Sequence, residues 1–261
     1  MNILQAIVLG LVEGVTEYLP ISSTFHLIWT AKLLGLGQTD FQKAFEVIIQ
    51  GGSILAVVIL YLSTLLKNKQ LLFKVVASFL PTAVIGLIIY KLIKHFFFEN
   101  LFLQLAVFIG VGLLFVIYEK LRRSEKTTKL LEELTYKDAV VIGLVQALAV
   151  VPGVSRAGVV MLGLMFLGVK REEAAKYSFM LAIPTLLAAS GLDLVKSLPI
   201  LKNNLHEVGL LAVGFITAFI SALVVVKWFI SYLQKHSLSS FGWYRIVLGA
   251  IFLILIFTKV L

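Results

Sequence analysis

Residues 11–27 read LVEGVTEYLPISSTFHL, and this stretch determines how the chain is organised. Two glutamates, a proline, several hydroxyl groups and a histidine interrupt an otherwise apolar region that begins at Met1. The apolar pieces between them are shorter than the roughly 17 residues that a bilayer-spanning helix requires. Irregular backbone persists at membrane depth only where protein or water encloses it. We therefore predict a re-entrant helix–turn–helix hairpin over residues 1–36, which enters the membrane and returns to the same side.

The composition of the whole chain places this hairpin in an integral membrane protein. Of the 261 residues, 60% are hydrophobic and 14% are charged, and the mean hydropathy is +1.01. A soluble domain carries about 25% charged residues, and a globule of this size could not hide so much apolar surface from water. These values exclude a cytosolic enzyme and a secreted soluble domain. The net charge of +9 indicates lysine- and arginine-rich cytoplasmic loops, and no nucleic-acid partner is expected.

Six further segments are long and apolar enough to cross a bilayer as helices. They are residues 44–66, 71–91, 101–118, 174–195, 208–227 and 241–258. One more apolar region, residues 139–169, is cut by a proline, a glycine, a serine and an arginine, so we predict a second re-entrant hairpin there. The predicted fold class is an all-α integral membrane protein with six transmembrane helices and two re-entrant helical hairpins.

The two halves of the chain match each other at a spacing of 132 or 133 residues. Matching positions include Gly10 and Gly143, Pro20 and Pro152, and Ser23 and Ser155. We predict two repeats, residues 1–137 and 138–261, each a hairpin followed by three spans. An odd number of spans inverts the second repeat, and inverted repeats bind their ligands where broken helices meet. The distribution of lysine and arginine places the 119–137 loop in the cytoplasm, so that the first hairpin enters from outside.

The first hairpin carries a pair of carboxylates. Glu13 and Glu17 are four residues apart, so a helix stacks them on one face. Like charges this close, away from bulk water, require a cation between them, a shared proton or a basic partner. Two solvated glutamates that face an aqueous vestibule are the alternative.

Hydroxyl side chains mark the start of the next helix. Ser22, Ser23 and Thr24 follow the break at Pro20, and a helix N-terminus of this kind binds phosphate through its backbone N–H groups. Ser23 can attack if a base accepts its proton, and His26 can act as an acid, a base or a nucleophile. An N-cap serine beside an interfacial histidine is the alternative.

The second hairpin supplies positive charge. Its break reads Pro152-Gly153-Val154-Ser155-Arg156. A guanidinium in an apolar hairpin requires an anionic partner, and its planar fork suits phosphate. The alternative is a structural ion pair with Glu13 or Glu17, which an enzyme could release when substrate binds. Gln50 lies in an apolar span beside two glycines and is expected to hydrogen-bond near the site.

Together the hairpins predict a membrane-embedded cavity with carboxylates and an imidazole on one side and an arginine on the other. Such a cavity suits hydrolysis of a phosphate ester or anhydride whose lipid tail lies between the spans. A secondary transporter or lipid flippase is the alternative, because it fits the inverted repeat equally well. Trp29 and Tyr244 are expected in aromatic belts at the membrane surfaces.

Residues 11–24, followed by His26-Leu27, resemble the first signature of the BacA-type undecaprenyl-diphosphate phosphatases, and residues 152–156 resemble the second. The resemblance covers nearly the whole chain. It implies hydrolysis of undecaprenyl diphosphate for cell-wall synthesis, bacitracin resistance, and a bacterial plasma (inner) membrane location with the site open to the periplasm. It also implies a divalent cation, Mg²⁺ or Ca²⁺. The partners are then the polyprenyl diphosphate substrate and membrane lipid, while the oligomeric state, a homodimer included, is open.

By the same resemblance, Glu13 and Glu17 are the acidic signature pair, assigned to the metal and to catalysis. Ser23 and His26 match the catalytic hydroxyl and imidazole, and Arg156 matches the phosphate-binding arginine. The nucleophile is open among Ser23, His26 and a water activated by Glu17 or His26.

The chain departs from the family pattern at three positions. Phe25 stands where the family usually has glycine, Ala157 replaces a serine and Val160 replaces a threonine. These changes narrow the turn beside His26 and remove two hydroxyl groups near Arg156. Phosphatase activity is still expected. The properties that these changes affect are the preference for substrate chain length and the reaction rate.

Overall fold

The structure is a computed structural model that describes residues 1–37, 39–97, 100–121, 128–201 and 204–258. Over these residues it contains eleven α-helices and no named strand, which confirms the all-α prediction. The helices are α1 Ile3–Thr16, α2 Ser23–Leu33, α3 Asp40–Ile48, α4 Gln50–Lys67, α5 Lys69–Phe97, α6 Leu101–Leu121, α7 Tyr136–Ala147, α8 Arg156–Phe166, α9 Arg171–Leu201, α10 Leu205–Leu233 and α11 Ser239–Phe257.

Six segments of the described chain are long and apolar enough to cross a membrane, as the sequence predicts. They are Asp40–Lys67, Lys69–Ile89, Leu101–Leu121, Arg171–Pro199, Leu205–Leu233 and Ser239–Phe257. The predicted 44–66 span is divided between α3 and α4, with a turn at Ile49. Residues 122–127 of the predicted cytoplasmic loop lie outside the described residues.

The helices of the two predicted hairpins are short. Helices α1 and α2 have 14 and 11 residues, and α7 and α8 have 12 and 11, so none reaches the length of a span. An irregular segment with Pro20 separates α1 from α2. A 3₁₀ turn and the Pro152-Gly153 break separate α7 from α8. The broken pattern in the sequence therefore corresponds to broken helices in the fold.

Each predicted hairpin packs its first helix against a long helix of the other predicted repeat. Helix α1 lies along α10, and α7 lies along α5. A Cβ atom on Gly10 would lie 2.5 Å from the Gly214 carbonyl oxygen, and one on Gly143 would lie 2.1 Å from the Ser78 carbonyl oxygen. Because no side chain fits at either contact, α1 packs backbone to backbone on α10, and α7 does so on α5. Pro20, Pro152 and Gly153 at the two breaks are buried.

An aromatic cluster lies beside the first break. The Phe25 ring stacks on Phe108 at 3.9 Å between centroids, and Trp29 packs on Phe252 at 4.1 Å. Trp29 is only 1% exposed, so its predicted place in a surface belt is wrong. The reason is that α2 packs this face against α6 and α11, where burial of aromatic area outweighs an interfacial position.

Candidate active site

The two breaks meet around one cavity of about 170 Å³. The Ser155 hydroxyl donates to the Leu19 carbonyl oxygen at 3.3 Å, which joins the two breaks directly. The cavity is lined by Glu17, Ser22, Ser23, Thr24, Gln50, Thr82, Gln146, Ala149, Val150, Val154, Ser155, Arg156, Thr185 and Leu186. The structure thus brings seven of the predicted site residues, from both halves of the chain, to one place.

Glu17 lines this cavity and hydrogen-bonds to the first residues of both α2 and α8. The Ser23 hydroxyl donates to Glu17 Oε2 at 2.5 Å, and Arg156 Nη2 donates to Glu17 Oε1 at 2.8 Å. Arg156 Nη1 also donates to the Ser178 carbonyl oxygen at 2.9 Å. The Glu17 and Arg156 side chains are 5% and 10% exposed. A hydroxyl, a carboxylate able to accept its proton, and a guanidinium are therefore in contact away from bulk water.

The ion pair between Glu17 and Arg156 is the structural alternative that the sequence leaves open. This pairing does not occupy every hydrogen-bond donor of the arginine. Arg156 Nε is buried and has no hydrogen-bond partner. A buried donor without a partner is costly, and a phosphate oxygen in the cavity would satisfy it. The pairing and a phosphate-binding role are therefore compatible at this residue.

The start of α2 forms another wall of the cavity. No side chain caps this helix, so its first N–H groups retain the partial positive charge that attracts phosphate. Ser22, just before the helix, has a φ of +67°, and it is the one described non-glycine residue with positive φ. Strained backbone of this kind clusters at functional sites. Thr24 lines the cavity one residue further on than Ser23.

Glu13 does not line the cavity. It is fully buried in α1, and neither of its carboxylate oxygens has a hydrogen-bond partner. Among the described residues, no group of three or more His, Cys, Asp or Glu side chains could hold a metal alone. Mg²⁺, however, commonly binds one or two carboxylates together with substrate phosphates. The unpartnered Glu13 carboxyl, one turn from Glu17, fits a cation of that kind.

His26 also lies outside the cavity lining, although the sequence pairs it with Ser23. Its Nδ1 donates to the Ser22 carbonyl oxygen, and its Nε2 accepts from the Tyr244 hydroxyl, both at 2.8 Å. Burial lowers the pKa of His26 to about 4, so that the ring is neutral at pH 7. In this arrangement His26 supports the strained turn at Ser22 rather than facing the cavity.

Tyr244 is a residue that sequence reasoning assigns to another role. Its predicted place is an aromatic belt, whereas its hydroxyl binds His26 from a position 218 residues further along the chain. No motif in the sequence connects the two positions. Only the packing of α11 beside α2 reveals the contact.

The predicted substrate-binding residues differ in their positions. Gln50 lines the cavity, and so does Ser155, whose hydroxyl also accepts from the Gly158 N–H and caps α8. Gly153 does not line the cavity. Its φ of +94° is a conformation that favours glycine, and its role is to shape the break.

Three neutral side chains in the cavity were not predicted. Gln146 Nε2 donates to Thr82 Oγ1 at 2.9 Å and to Thr185 Oγ1 at 3.1 Å. These residues belong to α7, α5 and α9 and form no local motif. Gln146 does lie 133 residues after Glu13, which is the spacing between the repeats. That spacing is the signal by which the sequence could have identified it.

The three positions that depart from the family pattern lie outside the cavity lining. Phe25, Ala157 and Val160 are buried outside it, at 1%, 0% and 0% exposure. The Phe25 ring meets the His26 ring edge to face at 5.7 Å. The larger side chain is therefore accommodated in the aromatic cluster beside the break.

Comparison with known proteins shows the family to which the chain belongs. The family model described as bacitracin resistance protein BacA matches residues 6–251. The undecaprenyl-diphosphatase of Aquifex aeolicus is 47% identical over 250 residues, covering 95% of this chain and 96% of that protein. Those of Campylobacter fetus and Campylobacter jejuni are 46% and 39% identical, covering 98% and 100% of this chain and 100% and 97% of theirs. The chain therefore belongs to the BacA family.

Proposed function

We propose that this protein hydrolyses undecaprenyl diphosphate to undecaprenyl phosphate and inorganic phosphate. This reaction recycles the lipid carrier for cell-wall synthesis and gives resistance to bacitracin. The observation that carries the proposal is the contact of Ser23, Glu17 and Arg156 in one cavity. Relatives that align over nearly their full length are named undecaprenyl-diphosphatase. The transporter alternative has no comparable support.

In the first step, Ser23 Oγ attacks the terminal phosphorus and Glu17 accepts its proton. The Oγ–P bond forms as the bond between phosphorus and the bridging oxygen breaks. Glu17 passes the proton to the departing undecaprenyl phosphate. Arg156 and the N–H groups at the start of α2 neutralise the charge on the phosphate oxygens. The 2.5 Å contact between Ser23 and Glu17 supports serine as the nucleophile, ahead of His26.

In the second step, a water molecule attacks the phosphorus of the phosphoserine. Glu17 accepts a proton from this water and returns it to Ser23 Oγ as the P–Oγ bond breaks. Inorganic phosphate leaves, and Ser23 and Glu17 regain their starting states. The same carboxylate thus acts as base and acid in both steps.

Glu13 and Glu17 are the residues that would hold a divalent cation, Mg²⁺ or Ca²⁺. Bound there, it would neutralise phosphate oxygens that approach the cavity. The support is the buried Glu13 carboxyl without a partner. Because substrate phosphates would supply further ligands, the protein would not need to provide all of them itself.

The fold is best explained as two inverted repeats, residues 1–137 and 138–261, whose re-entrant hairpins meet at the cavity. The support is the reciprocal packing of α1 on α10 and α7 on α5, with matched glycines at both contacts. Gln146 occupies in the second hairpin the position that Glu13 has in the first. At this position, therefore, only the first hairpin carries a carboxylate. We place this hairpin on the periplasmic side of the plasma membrane, since the lysine-rich 119–137 loop favours the cytoplasm.

The first test of the function is phosphate release by the purified protein in detergent. With undecaprenyl diphosphate and Mg²⁺ we expect steady release, and chelation by EDTA is expected to lower the rate at least about tenfold. Undecaprenyl phosphate serves as the control substrate, because it has no anhydride bond. No release by well-folded protein would contradict the proposal, and flux into liposomes would then test the transporter.

Arg156→Lys is expected to lower kcat/KM by about 10²-fold. A lysine keeps the charge but has one nitrogen, so it cannot contact Glu17, Ser178 and the phosphate together. Arg171→Lys is the matched control, because Arg171 pairs with Glu119 away from the cavity. Near-parent turnover in Arg156→Lys would remove this residue from phosphate binding.

We assign the lipid tail to an apolar groove between α5 and α7. The groove has a volume of about 410 Å³ and is lined by Ala77, Leu80, Pro81, Val84, Ile85, Val140 and Leu144. The same two helices contribute Thr82 and Gln146 to the cavity. A prenyl chain, which has no polar groups, is therefore the occupant that suits it.

Val84→Trp is expected to raise the KM for undecaprenyl diphosphate about tenfold, which corresponds to the loss of about two buried methylene groups. The KM for farnesyl diphosphate, whose chain is much shorter, should change little. Leu87→Trp is the control, because Leu87 is 79% exposed on α5 outside the groove. Equal effects of the two variants on the long substrate would exclude the groove as the tail site.

A further inference from the structure

A buried guanidinium lies between the two hairpin breaks. Arg245, on α11, is 0% exposed. Its Nε donates to the Phe108 carbonyl oxygen at 2.9 Å, its Nη1 to that of Pro20 at 3.2 Å and its Nη2 to that of Gly153 at 2.5 Å. The rings of Phe108 and Phe115 lie 4.4 and 5.8 Å from its central carbon. One side chain therefore contacts α6 and both breaks.

Arg245 is costly to bury in this position. None of the ion pairs between described residues includes it, and a buried charge without a partner of opposite sign must be compensated by hydrogen bonds. The compensation comes from the breaks themselves. Within the described chain, no backbone N–H donates to the carbonyl groups of Pro20 and Gly153, so Arg245 supplies the donors that these groups require.

The two carbonyl groups are close in sequence to the catalytic groups. Pro20 lies between Glu17 and Ser23, and Gly153 lies three residues before Arg156. A residue that binds both breaks at once fixes their separation, and with it the position of the arginine relative to the serine and the carboxylate. We propose that Arg245 is a positioning residue that holds Ser23 and Glu17 in register with Arg156. This inference rests on the proposed phosphatase reaction.

The fork of a guanidinium is what this role requires. Its planar nitrogens donate in three directions to three separate elements of the fold. A lysine at the same position has a single nitrogen and would bind one break at the expense of the other. A methionine would keep apolar volume but donate to neither break.

The test compares Arg245→Lys and Arg245→Met with the parent protein in detergent. We expect kcat to fall about 10²-fold in both variants, because small misplacements of reacting groups have effects of this size. KM should change less than about threefold, because the groups that line the cavity are all retained. A residue that only stabilises the fold would instead lower the active fraction and leave the kcat of the folded molecules unchanged.

A distance measurement provides a readout that does not depend on activity. The chain has no cysteine, so Val15→Cys and Leu148→Cys, which are 38% and 58% exposed beside the two breaks, can carry nitroxide labels. Double electron–electron resonance should give a narrow distribution in the parent and a broader one in both Arg245 variants.

Several outcomes would overturn the proposal. Parent kcat with a narrow distribution in the Arg245→Lys protein would do so, and failure of both variants to fold would assign Arg245 to stability alone. If the parent itself hydrolyses no diphosphate, the proposed function fails. The label distances would then still show whether Arg245 holds the breaks together, so the two failures are distinguishable.

Discussion

Replacing Ser23 with alanine is expected to lower phosphate release at least about 10⁴-fold, because the substitution removes the attacking oxygen. The fold should persist, because the pairing of Glu17 with Arg156 does not involve the serine hydroxyl. Acid quenching of the parent protein during turnover should trap phosphate on the peptide that contains Ser23. The measurements are phosphate release, thermal unfolding in detergent and mapping of the labelled peptide.

Ser231→Ala is the matched control for this experiment. Ser231 is exposed on α10, and its hydroxyl donates to the Lys227 carbonyl oxygen far from the cavity lining. A loss of only about 10- to 100-fold in Ser23→Ala, without trapped phosphate in the parent, would indicate direct attack by water. Phosphohistidine is labile in acid, so a parallel sample is quenched in alkaline detergent. Phosphate mapped to His26 in that sample would assign the nucleophile to the imidazole and contradict the mechanism.

Glu17→Gln is expected to lower kcat by about 10³-fold, within the range for loss of a general base. The amide has nearly the same shape as the carboxylate but cannot accept the Ser23 proton. It also leaves the buried Arg156 without an anionic partner, so a lower unfolding temperature should accompany the loss. The checks are kcat with saturating undecaprenyl diphosphate and an unfolding curve in the same detergent.

Glu173→Gln serves as the control for the loss of a carboxylate. Glu173 pairs with Lys176 on α9 and does not line the cavity, so the substitution should leave kcat within about twofold, because surface pairs contribute little. A Glu17→Gln protein that retains more than a tenth of the parent kcat would exclude Glu17 as the base. The proton acceptor would then have to be sought among other groups.

The sequence predicted the six spans and both breaks because these depend on local properties. Apolar length determines whether a helix can cross a bilayer, and Pro20 and the Pro152-Gly153 pair interrupt helices wherever they occur. The residue types in the two breaks also indicate phosphate chemistry. Glu17, Ser23 and Arg156 were identified in this way.

The tertiary structure decided which of these groups meet. Glu17 and Arg156 are 139 residues apart and pair at 2.8 Å, whereas Glu13 and His26, much closer to Glu17 in sequence, lie outside the cavity lining. A hydrogen bond requires placement to within a few tenths of an ångström. Helical periodicity determines only the face on which a side chain lies.

Arg245 shows most clearly the difference between what the sequence predicts and what the tertiary structure decides. The sequence presents it as a single charge near the start of an apolar span, with no motif around it. Its three carbonyl partners come from two breaks and a further helix, at separations of 92 to 225 residues. The sequence alone determined that the chain lies in a membrane and carries two polar breaks. Only the packing of α11 against both breaks decided that Arg245 binds them together, because that contact depends on how distant helices fit together.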